Sequence, residues 1–240
     1  MYLLRPVFIL LSGAFLFNFG ISFLRFQDED ILSYTVDLSK QNLKFFWKDG
    51  DGDIYKSFDK LKKDIETNGK TLVFAMNGGM YTKHNNPQGL YIENGKILSP
   101  LDTIQKGYGN FYLQPNGVFY ILKNSQAFVR STTDFKLSEN INYATQSGPM
   151  LLIGGKIHPV FKKGSDNLNI RNGVGILPDG RILFAMSEKE INLYDFASYF
   201  KRKGCENALY LDGFVSKTYL PEKNWKQLGG HFGVIIAEIK

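Results

Sequence analysis

Cysteine and histidine are both scarce in this chain of 240 residues. Cys205 is the single cysteine, which excludes an intramolecular disulfide, and its place after Gly204 at a predicted helix end indicates a small packed residue rather than a catalytic thiol. The three histidines, His84, His158 and His231, do not have the spacing of zinc ligands. A zinc site and a disulfide-stabilised fold are therefore both disfavoured.

The chain also lacks internal repeats, low-complexity tracts and any basic stripe that matches a nucleic-acid-binding motif. Its net charge of +6 is scattered, apart from short basic clusters on two predicted helices. We interpret these clusters as solvated surfaces, with attraction to an anionic substrate or to membrane phosphate as the alternative. Nucleic acid is therefore not an expected partner.

Hydrophobic residues make up 43% of the chain and charged residues 22%, a balance that predicts a packed core rather than disorder. Aromatic residues reach 15%, and aromatic side chains favour strands. No linker interrupts the chain after its first 30 residues. We therefore predict one domain over residues 31–240.

The N-terminus carries a long apolar run, with no charged residue between Arg5 and Arg25. Such a run after a short basic start predicts a signal peptide or membrane anchor over residues 1–26, with the rest of the chain outside the membrane. A clear cleavage site and a lipobox cysteine are both lacking, so a cleaved signal and an uncleaved anchor stay open, and a buried core helix is the weaker alternative. We expect an exported protein that is periplasmic, extracellular or anchored facing outside.

The predicted fold class is α+β, mostly antiparallel sheet with a few helices. Apolar spacing and caps predict helices over Ser57–Asn68 and Tyr194–Lys203. Apolar runs predict strands at Tyr34–Leu38, Leu43–Trp47, Thr71–Met76, Ala208–Leu211 and Phe232–Ile239. Glycine dipeptides predict hairpin turns at Asn94-Gly95, Asn116-Gly117, Gly154-Gly155 and Asp179-Gly180.

The alternating acidic segment Asp49–Asp53 invites interpretation as a calcium loop. An EF-hand loop needs glycine at its sixth position and glutamate at its twelfth, where this chain has Ile54 and Lys60. A turn is the better interpretation of the segment.

Four glycine-flanked polar clusters lie beside or within apolar runs: Asn77–Tyr81, Gln146–Pro149, Arg171–Gly175 and Asp212–Ser216. Each cluster alone is also typical of an ordinary turn. Together they supply an amide, a hydroxyl, a guanidinium and a carboxylate. A fold that brought them together would form a site for a phosphate and an adjoining sugar.

The side chains of the clusters suit that chemistry. Arg171 can form the forked contact that phosphate favours. Asp212, at the end of a predicted strand, can serve as acid, base, nucleophile or metal ligand. Asn77, at another strand end, offers both a donor and an acceptor, and Gln146 and Ser147 can bond sugar or phosphate oxygens.

The four clusters resemble segments of the phosphodiester glycosidase domain family, whose mammalian member removes N-acetylglucosamine from mannose 6-phosphodiesters. The resemblance covers the chain from Tyr34 to Lys240, and the sequence is most similar to the bacterial branch. Its most specific parts are residues 74–81, 146–151, 165–175 and 208–213. One departure is that Phe214 and Val215 stand between Asp212-Gly213 and Ser216, where many members have glycines. The animal substrate is therefore not carried over.

The resemblance implies an exported hydrolase that cleaves a sugar-1-phosphodiester at the glycosidic bond. It assigns phosphate binding to Arg171, the catalytic carboxylate to Asp212, and a place in the same machinery to Asn77. Substrate contacts are expected from Gly78, Gly79, Tyr81, Gln146, Ser147, Gly148, Ser216 and His231. No cofactor is required on this view, although Ca²⁺ or Mg²⁺ could bridge Asp212 and the phosphate.

Two other functions compete with this one. A non-catalytic module could bind envelope glycan or an anionic polymer through the same pocket. A metal-dependent phosphodiesterase could instead cleave the P–O bond. The expected partners are a sugar-phosphate or glycan and, if the N-terminal segment is uncleaved, the membrane.

Overall fold

The computed structural model describes residues 28–212 and 215–240. The predicted signal or anchor, residues 1–26, lies outside the described residues. None of the helices in the described part of the chain combines the length and the apolar composition of a membrane span.

Sixteen strands and two α-helices make up the regular structure of the described residues. The strands are β1 (Ile31–Val36), β2 (Leu43–Phe46), β3 (Leu72–Asn77), β4 (Tyr91–Glu93), β5 (Lys96–Ser99), β6 (Gly117–Leu122), β7 (Ala127–Ser131), β8 (Ile141–Ser147), β9 (Met150–Ile153), β10 (Lys156–Ile157), β11 (Asn172–Ile176), β12 (Ile182–Ser187), β13 (Ala208–Tyr210), β14 (Thr218–Leu220), β15 (Trp225–Lys226) and β16 (Ile235–Ile239). The helices are α1 (Phe58–Thr67) and α2 (Leu193–Arg202), and 3₁₀ turns lie at Asp28–Asp30, Asn110–Tyr112 and Pro221–Lys223.

The strands form three sheets in which every pairing is antiparallel. The first sheet has the order β1-β12-β11-β13-β9-β10, the second β15-β14-β3-β16-β2 and the third β5-β4-β8-β6-β7. The prediction of a mostly antiparallel α+β domain is confirmed.

One hydrophobic core joins the three sheets, and aromatic rings meet at its centre. Phe184 of the first sheet packs against Phe74 of the second, with ring centroids 5.2 Å apart, and against Phe119 of the third, at 5.9 Å. All three side chains are buried in the same cluster. Since fully buried aromatic side chains each remove a large apolar area from water, this contact fixes the sheets to one another.

Both predicted helices are present, and each end lies within one residue of its predicted place. Ser57 caps α1 by accepting a hydrogen bond from the Lys60 amide at 3.2 Å, and the apolar face of this helix packs on the second sheet. Asn192 caps α2 by accepting from the Asp195 amide at 2.9 Å, and α2 packs on the first sheet. The predicted apolar spacing therefore identified the buried faces.

Three of the four predicted hairpins are confirmed, as is the turn at Asp49–Asp53. Asn94-Gly95 joins β4 to β5, Gly154-Gly155 joins β9 to β10, and Asp179-Gly180 joins β11 to β12. All five predicted strands are present as β1, β2, β3, β13 and β16, and each differs from its predicted bounds by one to three residues at one end or both.

The predicted hairpin at Asn116-Gly117 is wrong. Gly117 begins β6, and the chain reaches it from an irregular segment rather than from a strand. Glycine is required there by packing, because a Cβ would lie 2.4 Å from the sulfur of Met150. The β6–β7 hairpin turns instead at Asn124 and Ser125, and Ser125 adopts the left-handed conformation without glycine.

The sheets bring the predicted clusters to one region. Asn77 ends β3 in the second sheet, Ser147 ends β8 in the third, and Asn172 begins β11 in the first. Asp212 follows β13, whose register pairs Tyr210 with the residue after Asn172. Side chains from all three sheets therefore meet around Asp212.

Candidate active site

Asp212 is the carboxylate at the centre of this region. Its side chain is only 4% exposed, and the Asn77 side-chain amide donates to its Oδ2 at 3.1 Å. Asn77 is itself held, since its Nδ2 also donates to the Val215 carbonyl at 2.6 Å and its Oδ1 accepts from the Lys217 amide at 2.8 Å. A hydrogen bond from an amide N–H favours the ionised form of a carboxyl group.

Asn172 completes the support of Asp212, and sequence reasoning did not identify it. Its Nδ2 donates to the Asn77 carbonyl at 2.9 Å and to Asn77 Oδ1 at 3.1 Å. Its Oδ1 accepts from the Asp212 backbone amide at 3.1 Å. One buried side chain thus fixes both the catalytic candidate and its amide partner. The only signal for it was its place inside the selected cluster Arg171–Gly175.

An open cavity of about 390 Å³ lies above the carboxylate. It is lined by Met80, Tyr81, Thr82, Lys83, Gln88, Gly109, Asn110 and Asp212. Its volume suits a ligand the size of a sugar phosphate. Of the residues predicted for the site, Tyr81 and Asp212 line this cavity.

Tyr81 is half-buried beside Asp212. Burial, and then the negative charge of Asp212, raise the pKa of Tyr81 to about 12. The phenol is therefore neutral at physiological pH and can donate a hydrogen bond to a ligand. Gly233 permits this placement, because a Cβ on that residue would lie 2.7 Å from the Cβ of Tyr81.

The glycines predicted for substrate contact are buried against protein atoms. A Cβ on Gly78 would lie 2.8 Å from a Val234 methyl carbon, and one on Gly79 would lie 2.4 Å from the Gln146 carbonyl oxygen. A Cβ on Gly148 would lie 2.7 Å from the Cβ of Asn116. These glycines let chain segments pack closely beneath the site, and their contact with substrate stays a prediction.

Gln146 anchors the segments that border the cavity. Its Oε1 accepts from the Leu90 amide at 2.9 Å and the Asp102 amide at 3.0 Å, and its Nε2 donates to the Asp102 carbonyl at 2.7 Å. Ser147 is also buried, and its hydroxyl donates to the Leu211 carbonyl immediately before Asp212. Both side chains hold the protein together here, and their contact with sugar stays a prediction.

Arg171 lies beneath the site rather than on the cavity wall. It is 1% exposed, and its guanidinium donates to the Ile191 carbonyl at 2.7 Å, the Asn167 carbonyl at 2.7 Å and the Tyr210 hydroxyl at 3.0 Å. The guanidinium carbon also lies 5.4 Å from the centroid of the Tyr210 ring. A direct contact of Arg171 with phosphate stays a prediction.

The last two predicted residues lie at the edges of the site. The Ser216 hydroxyl donates to the Ile170 carbonyl at 3.1 Å and lies 3.4 Å from Asn172 Oδ1. His231 is exposed, and its carbonyl accepts from the Asn85 side chain at 3.1 Å. Neither belongs to the cavity lining among the described residues.

Known proteins resemble this chain over most of its length. A family model described as phosphodiester glycosidase matches residues 70–232. The chain is 37% identical over 220 residues to the uncharacterized protein YigE of Escherichia coli (strain K12), covering 90% of this chain and 85% of the relative.

Solved structures share the fold. The catalytic domain of zebrafish N-acetylglucosamine-1-phosphodiester alpha-N-acetylglucosaminidase, auto-inhibited by pro-peptide, superposes with a TM-score of 0.59 at 16% identity, covering 86% of this chain and 81% of that one. A protein from Burkholderia pseudomallei K96243 that is provisionally described as exported superposes with a TM-score of 0.58 at 10% identity, covering 87% and 73%.

Proposed function

The chain belongs to the phosphodiester glycosidase family, a family of hydrolases, and from this premise we propose that it cleaves a sugar-1-phosphodiester at the glycosidic bond with Asp212 as the catalytic carboxylate. The observation that carries the proposal is the placement of Asp212: a buried carboxylate, held by Asn77, borders an open cavity of sugar-phosphate size. Family membership supplies the substrate class.

The chemistry can proceed with a single carboxylate. Ordinary glycosidases use two, because a sugar hydroxyl must be protonated as it leaves. A phosphate monoester leaves as a stable anion, so general acid catalysis is not required. In one route Asp212 attacks the anomeric carbon as the bond from that carbon to the phosphate oxygen breaks, and water then hydrolyses the glycosyl ester to free sugar and the carboxylate, with a proton released to solvent. In the other route Asp212 takes a proton from the water that attacks the anomeric carbon as the same bond breaks. Both routes need the ionised form that the Asn77 hydrogen bond favours.

The remaining predicted residues are proposed to act through this carboxylate or around it. The neutral phenol of Tyr81 donates to a sugar or phosphate oxygen at the cavity wall. Arg171 contributes a buried positive charge and fixes Tyr210, two residues before Asp212. Gln146 and Ser147 hold the bordering segments in place.

A divalent ion is compatible with the site but would find few protein ligands. Within residues 28–212 and 215–240, no three His, Cys, Asp or Glu side chains converge. A Ca²⁺ or Mg²⁺ ion at Asp212 would therefore take its other ligands from substrate phosphate, carbonyl oxygens or water.

Export is part of the proposal. It is supported by the apolar run before residue 25 and by a solved structural neighbour that is provisionally described as exported. Protease accessibility of a C-terminal tag in spheroplasts tests it, and a tag protected until the inner membrane is lysed would contradict export.

The function is tested with the full chain and a panel of methyl sugar-1-phosphodiesters that includes that of N-acetylglucosamine, in ¹⁸O-labelled water with and without EDTA. We expect free sugar and methyl phosphate, with no ¹⁸O in the phosphate. Label in the phosphate would indicate P–O cleavage. The Asp212→Asn variant should lose at least about 10³-fold in turnover while remaining folded, since its side-chain oxygen can accept the Asn77 hydrogen bond that Asp212 Oδ2 accepts in the parent. Unchanged turnover in this variant would remove Asp212 from the mechanism.

A further inference from the structure

The proposed function requires a positive charge that can touch the substrate phosphate, and Arg171 is poorly placed for this. Its guanidinium is 1% exposed and donates to two carbonyls and to Tyr210. A phosphate would have to displace those bonds and reach a group that does not line the cavity. A different cation therefore has to be found at the cavity wall.

Within residues 28–212 and 215–240, Lys83 is the one lysine or arginine that lines the cavity with Asp212. Its side chain is exposed, and among the described residues no carboxylate lies within salt-bridge distance of it. Most surface lysines need no functional explanation. This one faces the same cavity as the proposed catalytic carboxylate and carries an uncompensated charge.

The backbone around Lys83 forms a hydrogen-bonded turn. Lys83 and His84 are the central residues of a β-turn, closed by the hydrogen bond from the Asn85 amide to the Thr82 carbonyl at 2.9 Å. The Thr82 amide in turn donates to the Asn86 carbonyl at 2.9 Å.

Asn85 anchors this turn to the rest of the protein. Its side chain donates to the His231 carbonyl at 3.1 Å, and its own carbonyl accepts from the indole of Trp47 at 3.0 Å. The turn is therefore fixed to the second sheet just after β2 and just before β16, and it presents Lys83 from a defined position.

The charges of Asp212 and Lys83 determine how the substrate is oriented in the cavity. Asp212 repels a phosphate, whereas Lys83 attracts it, and both border one cavity. We propose that Lys83 binds the phosphate of the substrate, so that the anomeric carbon is directed toward Asp212 and the aglycone toward the Thr82–Asn85 turn. This assignment rests on the proposed function and adds a specificity-determining residue to it.

The test measures binding as well as turnover. Methyl phosphate, which has no glycosidic bond, is titrated into the full chain by NMR, and KM and kcat are measured with the methyl phosphodiester of N-acetylglucosamine 1-phosphate. We expect Lys83→Gln to weaken methyl phosphate binding and to raise KM, each roughly 10- to 100-fold, with little change in kcat, the range for one charged hydrogen bond. Lys83→Arg should retain most of the affinity, because it keeps the charge.

Lys123→Gln is the matched control, since Lys123 lies in the β6–β7 turn, at the end of β6 away from Ser147. It should bind methyl phosphate as the parent does. Equal binding by Lys83→Gln, or no saturable binding by the parent chain, would overturn the assignment. Binding that depends on Lys83 without any turnover would support the phosphate site and count against the glycosidase instead.

Discussion

The side-chain amide of Asn77 donates to the carboxylate of Asp212 at 3.1 Å across 135 positions of the chain. This bond links the end of β3 in the second sheet to the segment that follows β13 in the first. Asn172 reinforces it by bonding to both residues. The candidate catalytic group is thus positioned by side chains rather than by its own strand.

The Asn77→Asp variant tests this relationship directly. It places a second carboxyl group against Asp212, and two carboxylates at hydrogen-bond distance cannot both ionise easily. The first proton of the pair leaves readily, but the second leaves against a neighbouring negative charge, so we expect the acidic limb of kcat/KM against pH to extend upward by a second step. Asn77→Ala serves as control because it removes the bond without adding charge. An unmoved limb in Asn77→Asp would mean that Asp212 does not set it.

Substitutions of Arg171 distinguish a structural role of its side chain from direct contact with the substrate phosphate. Arg171→Met leaves the Ile191 and Asn167 carbonyls and the Tyr210 hydroxyl without their donor, so we expect the free energy of unfolding to fall by about 3 kcal/mol. Urea denaturation measures it. Arg171→Lys keeps the charge but not the fork. We expect this variant to lose part of that stability with KM for the phosphodiester little changed, whereas a large rise in KM would indicate direct contact of Arg171 with phosphate.

Tyr81 reports on the charge of Asp212. Because burial and that charge raise the pKa of Tyr81 to about 12, we expect Asp212→Asn to lower this pKa while burial keeps it above the ordinary value. The measurement is absorbance at 295 nm against pH, with the matching Tyr81→Phe variant subtracted in each background. Identical midpoints would show that the phenol does not sense the carboxylate.

The same shift predicts a stability effect. A pKa raised on folding contributes stability below the unfolded value near 10, and that contribution is lost as pH rises toward 12. Tyr81→Phe should therefore lose less stability than the parent between these pH values. A parallel decline in both proteins would contradict the assignment.

Local sequence signals predicted much of the fold. The helix cap at Ser57, the helix end at Gly204 and three glycine turns act over a few residues, so a single segment carries the information. The Asn116-Gly117 turn failed because Gly117 is required by its distance to Met150, a contact between strands that no local pattern shows. The β6–β7 turn was missed because Ser125 occupies a conformation usually left to glycine.

The sequence predicted which clusters lie near the candidate site, but it did not predict what each side chain contacts there. Residue type pointed to Asn77, Asp212 and Arg171, yet only the fold reveals which side chains line a cavity. Arg171 turned inward because buried carbonyls and Tyr210 provide it with acceptors. Lys83 gave no signal, since its neighbours in sequence look like an ordinary polar turn.

Substitution of Gly79, which lies beneath the cavity, tests whether this glycine is needed for packing or for contact with the ligand. A Cβ there would lie 2.4 Å from both the Gln146 carbonyl oxygen and the Thr145 hydroxyl of β8. The backbone of β8 cannot move away without strain, so we expect Gly79→Ala to lower the free energy of unfolding by about 2 kcal/mol. The variant should also reduce turnover, because the residues that follow are Met80 and Tyr81 of the cavity wall.

Gly50→Ala is the control for this substitution. A Cβ on Gly50 would meet no atom within 4 Å, and the backbone there is not left-handed, so alanine should be neutral or stabilise by about 0.5 kcal/mol. Urea denaturation of both variants measures the difference. Equal stability would mean that β8 shifts to admit the methyl group. Lost turnover in Gly79→Ala at full stability would then favour the predicted role of Gly79 in substrate contact, because the added methyl group would act on the ligand rather than on the fold.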